Sequence, residues 1–113
     1  MSTKVLLLYG KKKKTTSYYS LTEVKRKINN GQVKINLNAE RDAFQLFGWG
    51  LSDIEDAYMR LQPKHFHKTD TAIFKAGAYL DYYKATIKGE KIFTHFYIDD
   101  KTGLLVINSF HRQ

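Results

Sequence analysis

Ala78-Tyr-Leu-Asp-Tyr-Tyr-Lys-Ala-Thr-Ile87, Ile92-Phe-Thr-His-Phe-Tyr-Ile98 and Leu104-Leu-Val-Ile-Asn-Ser-Phe110 follow one another with only Lys88-Gly-Glu-Lys91 and Asp99-Asp-Lys-Thr-Gly103 between them. Each run is rich in β-branched and aromatic residues, and each connector is short, polar and contains Gly, so the three runs read as strands of an antiparallel meander. A fourth strand is expected over 65–71. Upstream of Pro63 the apolar period changes from 2 to 3.6. Ser20 and Glu23 form a capping-box pattern before Leu21, Val24 and Ile28, and Asn30-Gly31 stops that helix at about residue 30. Asn38 is expected to cap a second helix carrying Ala39, Ala43, Phe44 and Phe47 up to Gly48. Ser52 and Glu55 start a third carrying Ile54, Ala57, Tyr58 and Leu61, which Pro63 ends. Three helices followed by strands make an α+β domain, with the helices packed on an antiparallel sheet formed mainly by residues 65–111.

The core expected of the helices is Val24, Ile28, Ala43, Phe44, Ile54 and Leu61, with Lys25, Arg26 and Lys27 on the outward face of the first helix. Trp49, between Gly48 and Gly50, plugs the junction between the second and third helices.

The chain has 113 residues, which fits one domain over 1–113. It contains no cysteine, so disulfide scaffolds, thiolate zinc sites and cysteine nucleophiles are excluded. A net charge of +8 points to polyanionic partners. The charge is unevenly placed: nine Lys and Arg face one acid in residues 1–34, two face five in 35–63, and eight face five in 64–113. Residues 1–17 read as a basic arm, and its run Lys11–Lys14 as a solvated tail with non-specific attraction for RNA, ribosome or DNA. Val5–Tyr9 is too short for a membrane span and precedes its lysines, the wrong order for a signal peptide, so a soluble cytoplasmic protein without a membrane partner is expected.

Strand alternation assigns the faces. Pairing Ile98 with Leu104 puts Ile92, Thr94, Phe96 and Ile98 on the core face with Leu104, Val106, Asn108 and Phe110. The opposite face then carries Phe93, His95 and Tyr97 beside Leu105, Ile107, Ser109 and His111. Pairing Ile87 with Ile92 adds Leu80, Tyr82, Lys84 and Thr86 to it. Imidazole, phenol and ammonium groups on one surface suit the binding and cleavage of a phosphodiester without metal. Lysine neutralises phosphate, tyrosine stacks on bases, and imidazole moves protons at neutral pH. His65 and His67 have the spacing of two ligands on one strand face, but no third ligand is evident nearby and the pair is not read as a metal site.

From Tyr18 to Gln113 the chain resembles the MqsR toxins of bacterial type II toxin–antitoxin systems. The likeness is carried by Leu21-Thr-Glu-Val-Lys-Arg-Lys-Ile-Asn-Asn-Gly-Gln-Val33, Leu61-Gln-Pro-Lys-His-Phe-His-Lys-Thr69, Leu80-Asp-Tyr-Tyr83 and Leu105-Val-Ile-Asn-Ser-Phe-His-Arg112, in the family's order and with similar spacing. The resemblance implies a RelE-like fold and a cofactor-free, metal-independent endoribonuclease that cleaves messenger RNA, free or on the ribosome, to arrest growth. It also implies a cognate antitoxin. The family's active-site lysine falls on Lys68. Its glutamine before Asp falls on Leu80, its strand tyrosine on Phe93, and its lysine after Ser-Phe on His111. An imidazole carries protons at neutral pH more readily than an ammonium, so His111 for lysine is compatible with catalysis.

Lys68, His111 and His95 are therefore the candidate catalytic residues, and Lys84, Tyr82, Tyr97 and Arg112 the candidate substrate-binding residues. Two other classes of function fit the same sequence. A non-catalytic nucleic-acid-binding module, suggested by the missing glutamine and tyrosine, would bind RNA or DNA without cleaving it. A domain that binds an acidic protein would show no affinity for nucleic acid.

Overall fold

The computed structural model describes residues 16–113, so nearly all of the expected basic arm, including Lys11–Lys14, lies outside the described residues. Among the described residues, three helices, α1 (Leu21–Asn29), α2 (Leu37–Phe47) and α3 (Leu51–Met59), pack on one face of a five-stranded sheet. The strands are β1 (Val33–Ile35), β2 (Phe66–Thr71), β3 (Tyr79–Ile87), β4 (Glu90–Ile98) and β5 (Leu105–Arg112), in the order β1-β5-β4-β3-β2. The architecture is the expected α+β, with one difference. The sheet is mixed, because β1 pairs parallel with β5 at its edge. Three residues between two helices are too short to show an alternation of their own. None of the described helices is long and apolar enough to cross a membrane.

Ser20 caps α1 as its pattern requires, its Oγ accepting from Glu23 N. The second N-cap is Asn36 and not Asn38, and neither side chain caps the helix. Asn36 Nδ2 donates to Asn108 Oδ1 at 2.8 Å and Asn38 Nδ2 to the Asn108 carbonyl at 3.1 Å. Gly48 closes α2 in the left-handed region, φ 70°, where a Cβ would be strained. The third helix is capped at Gly50 and not, as expected, started by Ser52 and Glu55: the Gly50 N–H donates to the Asp53 carboxylate, and the helix ends before the Pro63–His65 turn.

The hairpin between β3 and β4 closes more tightly than expected. Lys88 and Gly89 both have positive φ, 53° and 78°, as a two-residue primed turn demands. Ile87 therefore pairs with Glu90 and Ala85 with Ile92. A shift of two residues leaves every side chain on its expected face.

Between β4 and β5 the shift is of one residue. Ile98 pairs with Leu105 and Phe96 with Ile107, so Leu105 and Ile107 are core and Val106 faces away, the reverse of the expectation. A bulge at Asn108 then restores the expected phase: His95 pairs with Ser109, Thr94 with Phe110 and Phe93 with His111.

The helices and sheet enclose Val24, Ile28, Ala43, Ile54 and Leu61, as expected, together with Tyr58, Tyr83, Phe96 and Phe110. Trp49 is buried against Phe47 and Phe110, the junction plug anticipated. Phe44, expected in the core, is 66% exposed on α2 with Leu37 beside it. Lys27, expected to point outward, is buried, its Nζ 3.7 Å from Glu23. Lysine covers apolar surface with its stem while the ammonium reaches a carboxylate, which a charge count along a helix does not reveal.

Candidate RNA-binding and catalytic face

Two bulges build the outer face of the sheet. On a regular strand alternate residues face outward, but a bulge places two neighbours on one side. In β2 the register slips between Phe66, opposite Tyr83, and Lys68, opposite Tyr82. Phe66 packs inward on Tyr83, while His67 and Lys68 both face outward. The His67 ring lies 5.8 Å from Phe93, and Lys68 Nζ lies 4.9 Å from the Tyr82 ring centre. In β5 the second bulge points both Asn108 and Ser109 at His95.

His95 occupies the centre of this face, between Tyr82 of β3 and Ser109 of β5, with its ring 4.5 Å from that of Tyr82. The Asn108 oxygen already accepts from Asn36, so the Asn108 amide must donate to His95 Nε2, at 2.8 Å. The proton of the neutral ring therefore sits on Nδ1 and is donated to Ser109 Oγ at 2.9 Å. Burial first, then the charges of His111 and Lys68, hold the His95 pKa down at about 4. The ring is neutral at pH 7, and both its nitrogens are occupied by neighbours.

Beneath the bulge, Thr94 Oγ1 donates to the Ser109 carbonyl at 2.7 Å, which leaves the Tyr58 hydroxyl to donate to Thr94 at 2.7 Å. Tyr58 is fully buried, and that burial raises its pKa. A chain of hydrogen bonds thus runs from α3 through the core to the strand that carries His111.

Lys68, Tyr82, Lys84, His95 and His111 come together on the outer face as expected. Lys84 lies opposite Phe93, its Nζ 5.4 Å from the ring centre, and His111 lies opposite the same Phe93 from the other side. Lys68 also approaches Asp70, at 3.5 Å, while remaining about half exposed. Tyr97 is on the same strand as His95 but nearer the far end of the sheet, with its ring 5.4 Å from Phe74. Leu80, at the family's glutamine position, is buried.

Arg112 does not join the group. It donates to the Leu46 carbonyl at the end of α2 and lies over the Phe47 ring, on the helix side of the sheet. A cation at a helix C-terminus satisfies an orphan carbonyl and the negative end of the dipole. Next to His111 in sequence means opposite to it on a strand. His65 and His67 also part: His65 Nδ1 accepts from Gln62 N at one end of the sheet, whereas His67 lies on the outer face. Burial, with the charges of Lys84 and Lys68, lowers the His67 pKa.

Sequence reasoning missed the roles of Asn108 and Asn36. Strict alternation puts Asn108 on the core face, and Asn36 lies two residues before Asn38, the cap expected from the sequence. The signal was present in Asn108-Ser109, two consecutive polar residues that interrupt an otherwise apolar strand.

The fold and this face define a small α+β domain that presents cations, imidazoles and aromatic rings on one sheet surface. A family model described as motility quorum-sensing regulator, toxin of MqsA, matches residues 16–112. The chain belongs to this family of MqsR toxins, and is thereby a toxin of a toxin–antitoxin system with a cognate antitoxin implied. No curated protein sequence matches it.

Proposed function

We propose that this toxin is an endoribonuclease that cleaves messenger RNA without a metal ion. The observation that carries the reading is the convergence of Lys68 and His111 on a neutral, doubly hydrogen-bonded His95, on the exposed face of the sheet. The 2′-hydroxyl loses its proton and attacks the adjacent phosphorus, and the 5′-oxygen leaves with a proton. The products are a 2′,3′-cyclic phosphate and a 5′-hydroxyl. His111 is exposed and serves as the proton-transfer group, while Lys68 stabilises the charge that develops on the phosphorane oxygens. Lys84 neutralises an adjacent phosphate, and the rings of Tyr82 and Phe93 offer a stacking surface for bases. His95 acts through its neighbours. Its fixed tautomer and low basicity make it a positioning residue and not a proton carrier.

Purified protein acting on a defined RNA in the presence of EDTA should give these end groups, with the rate falling about 10²–10⁴-fold in His111→Ala and a comparable loss in Lys68→Ala. Full activity in both variants would overturn the site. Phe93 cannot supply a phenolic donor and Leu80 is buried and apolar, features that favour the binding-only alternative. Salt-dependent RNA binding without cleavage would select that alternative.

A further inference from the structure

The outer row of β3 does not stop at the candidate catalytic residues. Tyr82, Lys84 and Thr86 succeed one another on that face at about 6.6 Å per pair of residues, and Thr86 is exposed. Thr86 is also part of the wall of an open depression of about 440 Å³ at the end of the sheet, where Lys25, Arg60, Lys64, His65 and Lys88 converge from four separate elements. Two of these cations are already used. Lys88 is held by Asp53 and Asp56 at 3.0 and 3.2 Å, and Arg60 by Asp56 at 2.9 Å. Lys25 and Lys64 form no ion pair among the described residues, and Glu23, the acid nearest Lys25 in sequence, is engaged by Arg26 and Lys27. Both charges depress the pKa of His65, after burial of that ring, so the two lysines and the imidazole share one electrostatic environment. Two uncompensated ammonium groups thus stand where the row of the candidate active face ends.

We infer that this depression is a second phosphate-binding site, in which Lys25 and Lys64 hold the backbone of the same RNA strand beyond the nucleotides on the Lys68–His111 face. The inference rests on the nuclease reading, since it continues that substrate's path. Continuity with the β3 row favours RNA over an acidic protein surface. The site adds affinity chiefly through charge and reads no base, because its unpaired cations are ammonium groups and no Tyr, Trp or Phe lines it.

Two 2′-deoxy oligonucleotides, which lack the attacking hydroxyl, provide the probes: a tetranucleotide that covers only the outer face and a dodecanucleotide that reaches the depression. Binding of each to the whole chain is measured across a salt series. In Lys25→Ala/Lys64→Ala the slope of log affinity against log salt for the dodecanucleotide should fall by about 1.4, two single-strand phosphate contacts at about 0.7 each. The tetranucleotide slope should not change, and Lys25→Arg/Lys64→Arg should keep the wild-type values. Equal dodecanucleotide slopes in wild type and the Ala variant would overturn the site, as would equal losses for both lengths. Unchanged slopes with weakened antitoxin binding would also overturn it, and would assign the surface to a protein. A wild-type protein that cleaves RNA but shows unchanged slopes removes only this inference. One that neither binds nor cleaves RNA removes the nuclease reading with it.

Discussion

Asn108 sets the tautomer of His95. Its amide donates to Nε2 at 2.8 Å, and it is held in that orientation by Asn36, whose own amide lies 2.8 Å from the Asn108 oxygen. Asn108→Asp keeps the acceptor for Asn36 but offers His95 a carboxylate in place of a donor. A negative charge beside the ring favours the imidazolium, so the His95 pKa should rise from about 4 by more than one unit. Ring-proton chemical shifts followed against pH read this directly. A ring still neutral at pH 5 in the variant would contradict the assigned hydrogen-bond direction.

The depressed His95 pKa couples stability to pH with a definite sign. Between about 4 and the ordinary 6.5 the unfolded chain binds a proton that the folded ring refuses. Stability contributed by the neutral ring is therefore full above pH 6.5 and is lost as pH falls toward 4. His65 and His67, whose pKa values are also lowered, act in the same direction. Denaturant titrations at pH 7 and pH 4.5 should show a smaller loss of stability in His95→Gln than in wild type. An equal loss would mean that His95 does not contribute.

Tyr58 and Thr94 share a hydrogen bond but should not cost the same to remove. Tyr58→Phe deletes a donor and leaves Thr94 still bonded to the Ser109 carbonyl, at a cost of about 1 kcal/mol. Thr94→Val strands the buried phenol and takes a donor from that carbonyl, at a cost of about 2–4 kcal/mol. Thermal melts would rank the two, and a larger loss in Tyr58→Phe would reverse the donor order.

Asp81 is fully buried and accepts from the backbone N–H of Tyr18 and Tyr19 and from Thr69 Oγ1. It ties the segment before α1 to β3. Asp81→Ala should destabilise the domain by at least about 3 kcal/mol, since two backbone donors and a hydroxyl lose an acceptor. Amide exchange at Tyr18 and Tyr19 should rise even below the melting temperature. Protected amides there would show that other contacts hold the segment.

Helices and strands were legible wherever the apolar period ran long enough. The Ser20–Glu23 cap, the place of the β3–β4 turn though not its length, and the outward set Tyr82, Lys84, Phe93 and His95 all follow from local chemistry and alternation. The face of His111 came out correctly through two compensating events, a one-residue register shift at Leu105 and the bulge at Asn108. Alternation cannot see either, because the extra residue is held by hydrogen bonds from Asn36 and Asn38, which are distant in sequence. The exposure of Phe44 and the inward stem of Lys27 depend on which helix face meets the sheet, a tertiary matter. Arg112 was misplaced for a simpler reason: adjacency in a strand separates side chains.

The bulges at His67 and Asn108 set stability against function at single residues. A regular ladder would make better backbone pairing and would need no scaffold of Asn36 and Asn38 around Asn108. Deleting either extra residue should therefore relieve a local irregularity while stripping the sheet of the crowded polar surface on which its proposed chemistry depends. A sheet built for stability alone would do without the extra residues, and with them would go the neighbouring outward pairs His67–Lys68 and Asn108–Ser109.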